Sequence, residues 1–228
     1  MKTIKIAIDG PAGAGKSTVA KSAAKKLGFV YVDTGAMYRA VGLSVLRSGY
    51  SPKDENAVMS VAEKTEIDIR YKNGEQNIYL NGENVTKDIR TPEVSVAASD
   101  VAVVGGVRKR LVELQRELAM RENVIMDGRD IGTRVLPNAD VKIFLTASAE
   151  ERATRRFKEL CEKKTECSFE EVLRDIKYRD KNDSERAIDP LKPAEDSIII
   201  DTTGLNFEES ENLIINEVNK KINSGENK

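Results

Sequence analysis

The chain has 228 residues, 33% of them charged, and a formal net charge of −1, so it is long enough for one good core with insertions or for two small domains. The near-zero charge argues against a general polyanion binder, which would be basic overall or carry a basic tail, and no apolar run approaches the length of a membrane span. There is no histidine to act as base or metal ligand and no tryptophan for stacking on nucleic acid, and Cys161 and Cys167 are not spaced as a zinc pair but fit free thiols in a reducing compartment.

Residues 3–8 read as a buried strand, residues 17–27 as a helix, and Gly28 is placed to cap that helix. Between them lies Gly10-Pro11-Ala12-Gly13-Ala14-Gly15-Lys16-Ser17-Thr18, which fits the phosphate-cradling pattern G-x-x-x-x-G-K-[ST]. Gly10, Gly13 and Gly15 allow torsions that a Cβ would forbid, so several N–H groups can face one anion at a helix N-terminus. Lys16 adds a full charge near the β- and γ-phosphates of a nucleoside triphosphate, and Ser17 a hydroxyl for Mg²⁺. A cleavable leader is not expected at the N-terminus, because Asp9 and this loop follow at once.

Residues 29–32 form a second predicted strand, ending at Asp33-Thr34-Gly35, which is both a turn and a helix cap. The helix that follows, residues 36–47, carries Tyr38 and Arg39 in its first turns. Ligands of open parallel sheets bind beyond the carboxyl ends of the strands, so Thr34, Tyr38 and Arg39 face the crevice of the phosphate loop. A packed aromatic ring and a surface cation are the plain alternatives for Tyr38 and Arg39. Ser51-Pro52-Lys53-Asp54 is expected to start another helix with proline at its first position. Residues 67–71 then alternate, Asn73-Gly74 makes a hairpin turn, residues 77–80 return, and Asn81-Gly82 turns again toward Val85. This is a small antiparallel insert in an otherwise α/β chain, and reads as a flap or second lobe.

Thr91-Pro92-Glu93 opens a helix to about Val103 that carries Ser99; Gly105-Gly106 is expected to break the chain, and residues 107–121 form a helix with Arg108 at its start. Residues 123–127 are an apolar run ending in Asp127, the form of a strand that sets an acid beside Mg²⁺, and Gly128-Arg129-Asp130 follows. Residues 140–146 make another buried strand. Ser148 and Glu151 have capping-box spacing before a helix with Arg152, Arg155 and Arg156; a loop at 161–165 and a second box at Ser168 and Glu171 lead to the next helix. Such an arginine-bearing hairpin between two strands suits a lid closing over phosphates, or an ordinary helical hairpin with exposed charge. Arg179, Asp183 and Arg186 share a helical face, as ligands of a ribose phosphate or as an ion-pair ladder. Residues 197–201 are the last strand, 207–222 the closing helix, and 223–228 a tail expected to fray.

The stretches Asp33-Thr34-Gly35-Ala36-Met37-Tyr38-Arg39, Asp127-Gly128-Arg129-Asp130-Ile131-Gly132-Thr133, and Arg179-Asp180 through Arg186-Ala187 make the chain resemble, nearly end to end, the bacterial cytidylate kinase family. The resemblance implies an α/β, three-layer P-loop kinase fold with a five-stranded parallel core sheet. The core would be residues 1–33, 104–150 and 187–228. A monophosphate-binding lobe would span 34–103, with its antiparallel insert at about 66–90, and a lid with its flanking helices 151–186. It also implies ATP:CMP (and dCMP) phosphotransfer with Mg²⁺ accompanying ATP. Gly10 through Thr18 would bind ATP, and Ser17 and Asp127 would hold the metal. Ser99, Arg108 and Asp130 would read cytosine, and Asp183, helped by Arg179, would hold the ribose. Thr34, Arg39, Arg129 and Arg186 would surround the monophosphate, with Tyr38 and Asp127 also in that site. Lys16, Arg129, Arg186 and the lid residues Arg152 and Arg156 would act on the transferring group, with Arg155 beside them. Thr34 stands where the family often has serine, which keeps the hydroxyl. A cytoplasmic monomer with no nucleic-acid or membrane partner is expected. The rivals are another acceptor in the same fold, UMP or shikimate, and a nucleotide-switch regulator, against which stands the lack of an Asn-Lys-x-Asp guanine-reading sequence.

Overall fold

The fold is a computed structural model that describes residues 3–225. Its centre is a five-stranded, fully parallel sheet of β1 (Lys5–Asp9), β2 (Val30–Asp33), β6 (Val124–Gly128), β7 (Val141–Thr146) and β8 (Ile198–Asp201). The spatial order is β2-β6-β1-β7-β8. In register, Asp33 lies opposite Asp127, and Asp9 lies between Gly128 and Phe144, so three of the four carboxyl ends that meet here carry an acid or a glycine.

Alternation along the strands sends side chains to two cores. Ala7, Val32, Val124 and Met126 face a cluster completed by α2 (Thr34–Arg47), α3 (Glu55–Lys64) and α5 (Gly105–Ala119). Ile6, Ile8, Ile125, Ile143 and Leu145 face the opposite cluster, built with α1 (Lys16–Leu27) and α8 (Phe207–Gly225). Each fully buried isoleucine stabilises this three-layer arrangement by about 2 kcal/mol through removal of its surface from water.

The insert is β3 (Ile67–Lys72), β4 (Glu75–Leu80) and β5 (Glu83–Asn84), an antiparallel sheet in that order. Both Asn-Gly turns have positive φ at each residue (53° and 76°, 49° and 85°), the geometry that matches hairpin twist. Ile78, Leu80 and Val85 pack with Ile89 and Val94 against Ala36, Ala40 and Leu43 of α2. After a 3-10 turn at Asp88–Arg90 comes α4 (Pro92–Val101), with Thr91 as its cap. The arginine-bearing hairpin is α6 (Ala149–Glu162) and α7 (Phe169–Glu185), joined by Ala153, Leu160, Val172 and Ile176 and an edge-to-face pair of Phe157 and Phe169.

Several local expectations give way to tertiary structure. Pro52 does not start α3: it lies in a turn, and Asp54 caps the helix by accepting the Ala57 N–H at 3.1 Å. Gly105 and Gly106 do not break the chain but begin α5, and the Met59 side chain packs where a Cβ on Gly106 would stand, 2.4 Å away. α2 starts two residues earlier than its apolar pattern suggests, because Asp33 accepts the Ala36 N–H. Of the two expected boxes, that of Ser168 and Glu171 is reciprocal, whereas the Glu151 carboxylate is taken by Arg155 instead. α7 ends at Glu185 and Arg186 is extended, so Arg186 leaves the helical face of Arg179 and Asp183. Residues 223–225 continue α8 rather than fray, and 226–228 lie outside the described residues.

Candidate functional site

The phosphate loop joins β1 to α1 along the centre of the sheet. Gly10, Gly13 and Gly15 all have positive φ, and a Cβ on Gly10 would lie 1.9 Å from the Leu145 carbonyl oxygen, so no other residue fits there without moving β7. Gly15 stands at the N-cap of α1 with no side-chain cap, which leaves the first N–H groups free for an anion. Lys16 is buried, and its ammonium donates to the Pro11 carbonyl at 2.6 Å. Burial, then Arg129, hold that ammonium well below its usual range, so an arriving anion would relieve it. Ala12, Ala14 and Thr18 complete the loop with main-chain N–H groups, while Pro11, which has none, gives its carbonyl to Lys16.

Asp127 ends β6 beside this loop. Its Oδ2 accepts from the Ser17 hydroxyl at 2.7 Å and its Oδ1 from the Tyr31 hydroxyl at 3.0 Å, while its main-chain carbonyl accepts from Thr34 Oγ1 at 2.7 Å. Burial and the neighbouring Asp33 carboxylate push the Asp127 carboxyl up. A hydroxyl and a buried carboxylate in contact fit one hard divalent cation that would take its remaining ligands from phosphate and water. Among the described residues no group of three or more Cys, Asp or Glu could hold a metal ion.

Across the crevice the arginines sit on carboxylates. Arg39 donates to Asp33 at 2.8 Å and Arg129 to Asp183 at 2.7 Å, and Asp183 Oδ1 accepts from Ser99 at 3.2 Å. Against burial, which would raise it, Arg129 and Arg179 hold the Asp183 carboxyl below its usual range. Burial, followed by Arg129, pulls the Arg179 guanidinium down to about 10, and Arg39 and Arg156 repel it as well. The Nε atoms of Arg39 and Arg179 are buried with no protein acceptor. The guanidinium groups of Arg39, Arg129 and Arg179 and the Lys16 ammonium thus converge on one volume with donors to spare.

A second cluster lies on the base side. Arg108, 2% exposed, contacts Asp130 through Nη2 and stands over the Tyr38 ring, 5.9 Å from its centroid. Arg186 approaches Asp130 at 3.4 Å. Burial raises the Asp130 carboxyl despite both arginines.

The lid arginines separate. Arg152 is buried and bridges Ala12 O (2.9 Å) to both oxygens of Asp180 (3.0 and 2.7 Å), clamping α6 and α7 to the loop. Arg155 turns to the carbonyls of Thr202 and Leu205, and Arg156 pairs with Glu159 while its charge reaches Arg179. Sequence reasoning missed Asp9, Asp33, Arg90, Asp180 and Asp189. Asp9 accepts the N–H groups of Ile131 and Gly132, both at 2.7 Å, which fixes the π-helical turn Ile131–Val135 behind Asp130. Asp33 also takes Arg90 at 2.9 Å. Asp9 and Asp33 carry the same signal as Asp127, an acid closing an apolar strand; Asp189 carries none.

A nucleotide-binding loop at the carboxyl edge of a parallel sheet, an acid on the adjacent strand and an arginine-lined crevice define a P-loop kinase. The model of the family described as cytidylate kinase matches residues 6–221. The chain belongs to that family. It is 56% identical to the cytidylate kinase of Caldicellulosiruptor bescii over 209 residues, 92% of each chain, and 51% identical to that of Desulfitobacterium hafniense, over 98% of this chain and 96% of the other. A solved structure of an uncharacterized protein from Eubacterium ventriosum shares the fold at TM-score 0.55 and 17% identity, covering 96% of this chain and 99% of that one.

Proposed function

We propose that this protein transfers the γ-phosphoryl group of ATP to CMP and dCMP, giving the diphosphate and ADP. The observation that carries the reading is the convergence of Lys16, Arg39, Arg129 and Arg179 on one buried volume, with the Arg39 and Arg179 Nε donors unpartnered, beside a second cluster of Arg108 and Asp130 suited to a base edge. A phosphate oxygen of CMP attacks the γ-phosphorus, the new P–O bond forms, and the bond to the β-phosphate bridging oxygen breaks, leaving ADP with the electron pair. The attacking oxygen is already anionic near neutral pH, so no strong base is needed, in keeping with a chain without histidine. Positioning and charge carry the rate.

The loop from Gly10 to Thr18 cradles the ATP phosphates and Lys16 neutralises the charge moving between donor and acceptor. Ser17 and Asp127 would hold the Mg²⁺ that accompanies ATP, which would add charge neutralisation. Arg39, Arg129 and Thr34 surround the monophosphate, and Asp183 with Arg179 holds the ribose hydroxyls. Asp130 accepts the N4 amino group of cytosine and Arg108 donates to its ring acceptors; uracil puts a carbonyl before Asp130 and is repelled. Arg152 clamps the lid onto the loop, and Arg156 closes on the transferring group. The division into core, monophosphate lobe (34–103) and lid (151–186) is part of this reading, as is a monomer acting in the cytoplasm. Of the described residues, no helix is long and apolar enough to cross a membrane.

An ADP-release assay with CMP, dCMP, UMP, GMP and shikimate tests the proposal. ADP release stimulated most by CMP and dCMP, and dependent on Mg²⁺, supports it; no stimulation by CMP overturns it.

A further inference from the structure

Asp189 lies in the connection between α7 and β8, outside every stretch that marks the family in this sequence. Its φ is 48°, in the left-handed region that aspartate tolerates better than most side chains. That backbone turns its two acceptors toward two different arginines. The main-chain carbonyl accepts from Arg186 Nε at 2.8 Å and Nη2 at 2.5 Å. The carboxylate Oδ2 accepts from Arg108 Nε at 3.3 Å and Nη2 at 3.2 Å, and Arg134 Nε stands 3.6 Å from the same oxygen.

The charge count makes the carboxylate consequential. Arg108 and Arg186 are both buried and share the carboxylate of Asp130, with Asp183 also acting on Arg186; Asp189 gives Arg108 a second counter-charge. It also settles where Arg108 points. Two donors on one edge of the guanidinium are tied to Asp189, which fixes its plane. Asp130 then shares Arg108 instead of being its only counter-ion, and keeps acceptor capacity for an incoming amino group.

We infer that Asp189 is a positioning residue for base selection, holding Arg108 and Arg186 around Asp130 so that a cytosine edge is preferred to a uracil edge. The inference rests on the CMP kinase reading above. The test is steady-state kinetics with CMP and with UMP on the wild type, Asp189→Asn and Asp189→Gly, with melting curves to establish folding. Asn keeps the left-handed backbone and the carbonyl for Arg186 but removes the charge; Gly keeps the backbone and removes the side chain. In both variants kcat/KM for CMP is expected to fall roughly tenfold, mainly through KM, as a charge-assisted contact is lost. The value for UMP is expected to fall less, so the CMP-to-UMP ratio narrows. A CMP KM and a ratio both within about twofold of wild type overturn the inference. So do equal losses for CMP and UMP, which mark a merely structural role. Should neither variant fold, Asp189→Glu, which keeps the charge but displaces it, carries the same comparison. A wild type without CMP activity overturns the underlying reading as well; a CMP-preferring wild type with unchanged variants overturns only the role of Asp189.

Discussion

The side-chain amide of Gln76 closes a two-bond ring with the main chain of Asp33: the Asp33 N–H donates to Oε1 at 2.8 Å, and Nε2 donates to the Asp33 carbonyl at 3.1 Å. β2 is an edge strand of the parallel sheet, and Gln76 stands where a neighbouring strand would pair. The Tyr71 hydroxyl, donating to the Tyr31 carbonyl at 3.1 Å, extends this cover one pleat further. The insert is thereby tied to the segment whose side chains reach Asp127 and Arg39.

Gln76→Ala should therefore loosen the end of β2. Water can replace the amide at this half-buried edge, so the loss in stability is expected to be only about 1 kcal/mol. The larger effect should be a higher KM for CMP, because Asp33 orients Arg39 and Arg90. Amide exchange at Asp33 should quicken; an unchanged exchange rate there would rule out the latch.

Lys16→Ala should lower kcat by roughly 10²–10³-fold while changing CMP affinity far less, since Lys16 belongs to the donor loop, where it donates to the Pro11 carbonyl, and Arg39, Arg129 and Arg179 remain to hold the acceptor. Single-turnover kinetics and CMP titration separate the two effects, and a variant of near-normal turnover would remove Lys16 from the mechanism.

Asp130→Asn is the informative change at the base site. Alanine would leave Arg108 and Arg186 without their shared carboxylate at a cost of roughly 3–5 kcal/mol. Asparagine keeps the shape and offers an N–H donor to the uracil carbonyl, so the CMP-to-UMP ratio of kcat/KM should fall by about tenfold or more. An intact ratio in a folded variant places base reading elsewhere.

Asp9 predicts a pH dependence. Burial raises its carboxyl from 3.8 to about 6, against the pull of the Gly132 and Ile131 N–H groups. The folded state then holds this proton more tightly than the unfolded one. Its contribution to stability is fully present below about 3.8 and is lost as pH rises through about 6, a difference of about 3 kcal/mol. Asp9→Asn should flatten the rise in urea midpoint seen on acidifying across that window, once the other carboxylates are accounted for by the same series at a second buried acid. Parallel curves for the two proteins would contradict the assignment.

What the sequence by itself determined are features whose physics closes within a few residues. The phosphate loop works through contacts inside a single strand-loop-helix turn. The two Asn-Gly hairpins need only their own positive φ values, and the Ser168–Glu171 box caps its own helix. Strand alternation with helices, and hence a parallel sheet, is legible for the same reason. Local signals also misled: Pro52 yielded to the Asp54 cap two residues on, and Gly105-Gly106, read as a break, opens α5. The pairings that make the site were not legible, because an arginine does not encode which carboxylate it meets. Only the tertiary structure set Arg129 on Asp183, 54 residues away, Arg108 between Asp130 and Asp189, 22 and 81 residues away, and the Asp9 carboxylate on N–H groups 122 and 123 residues along the chain. Buried charge must find a counter-charge in space, and that demand is met by the sheet order and the lid, not by any stretch of sequence read alone.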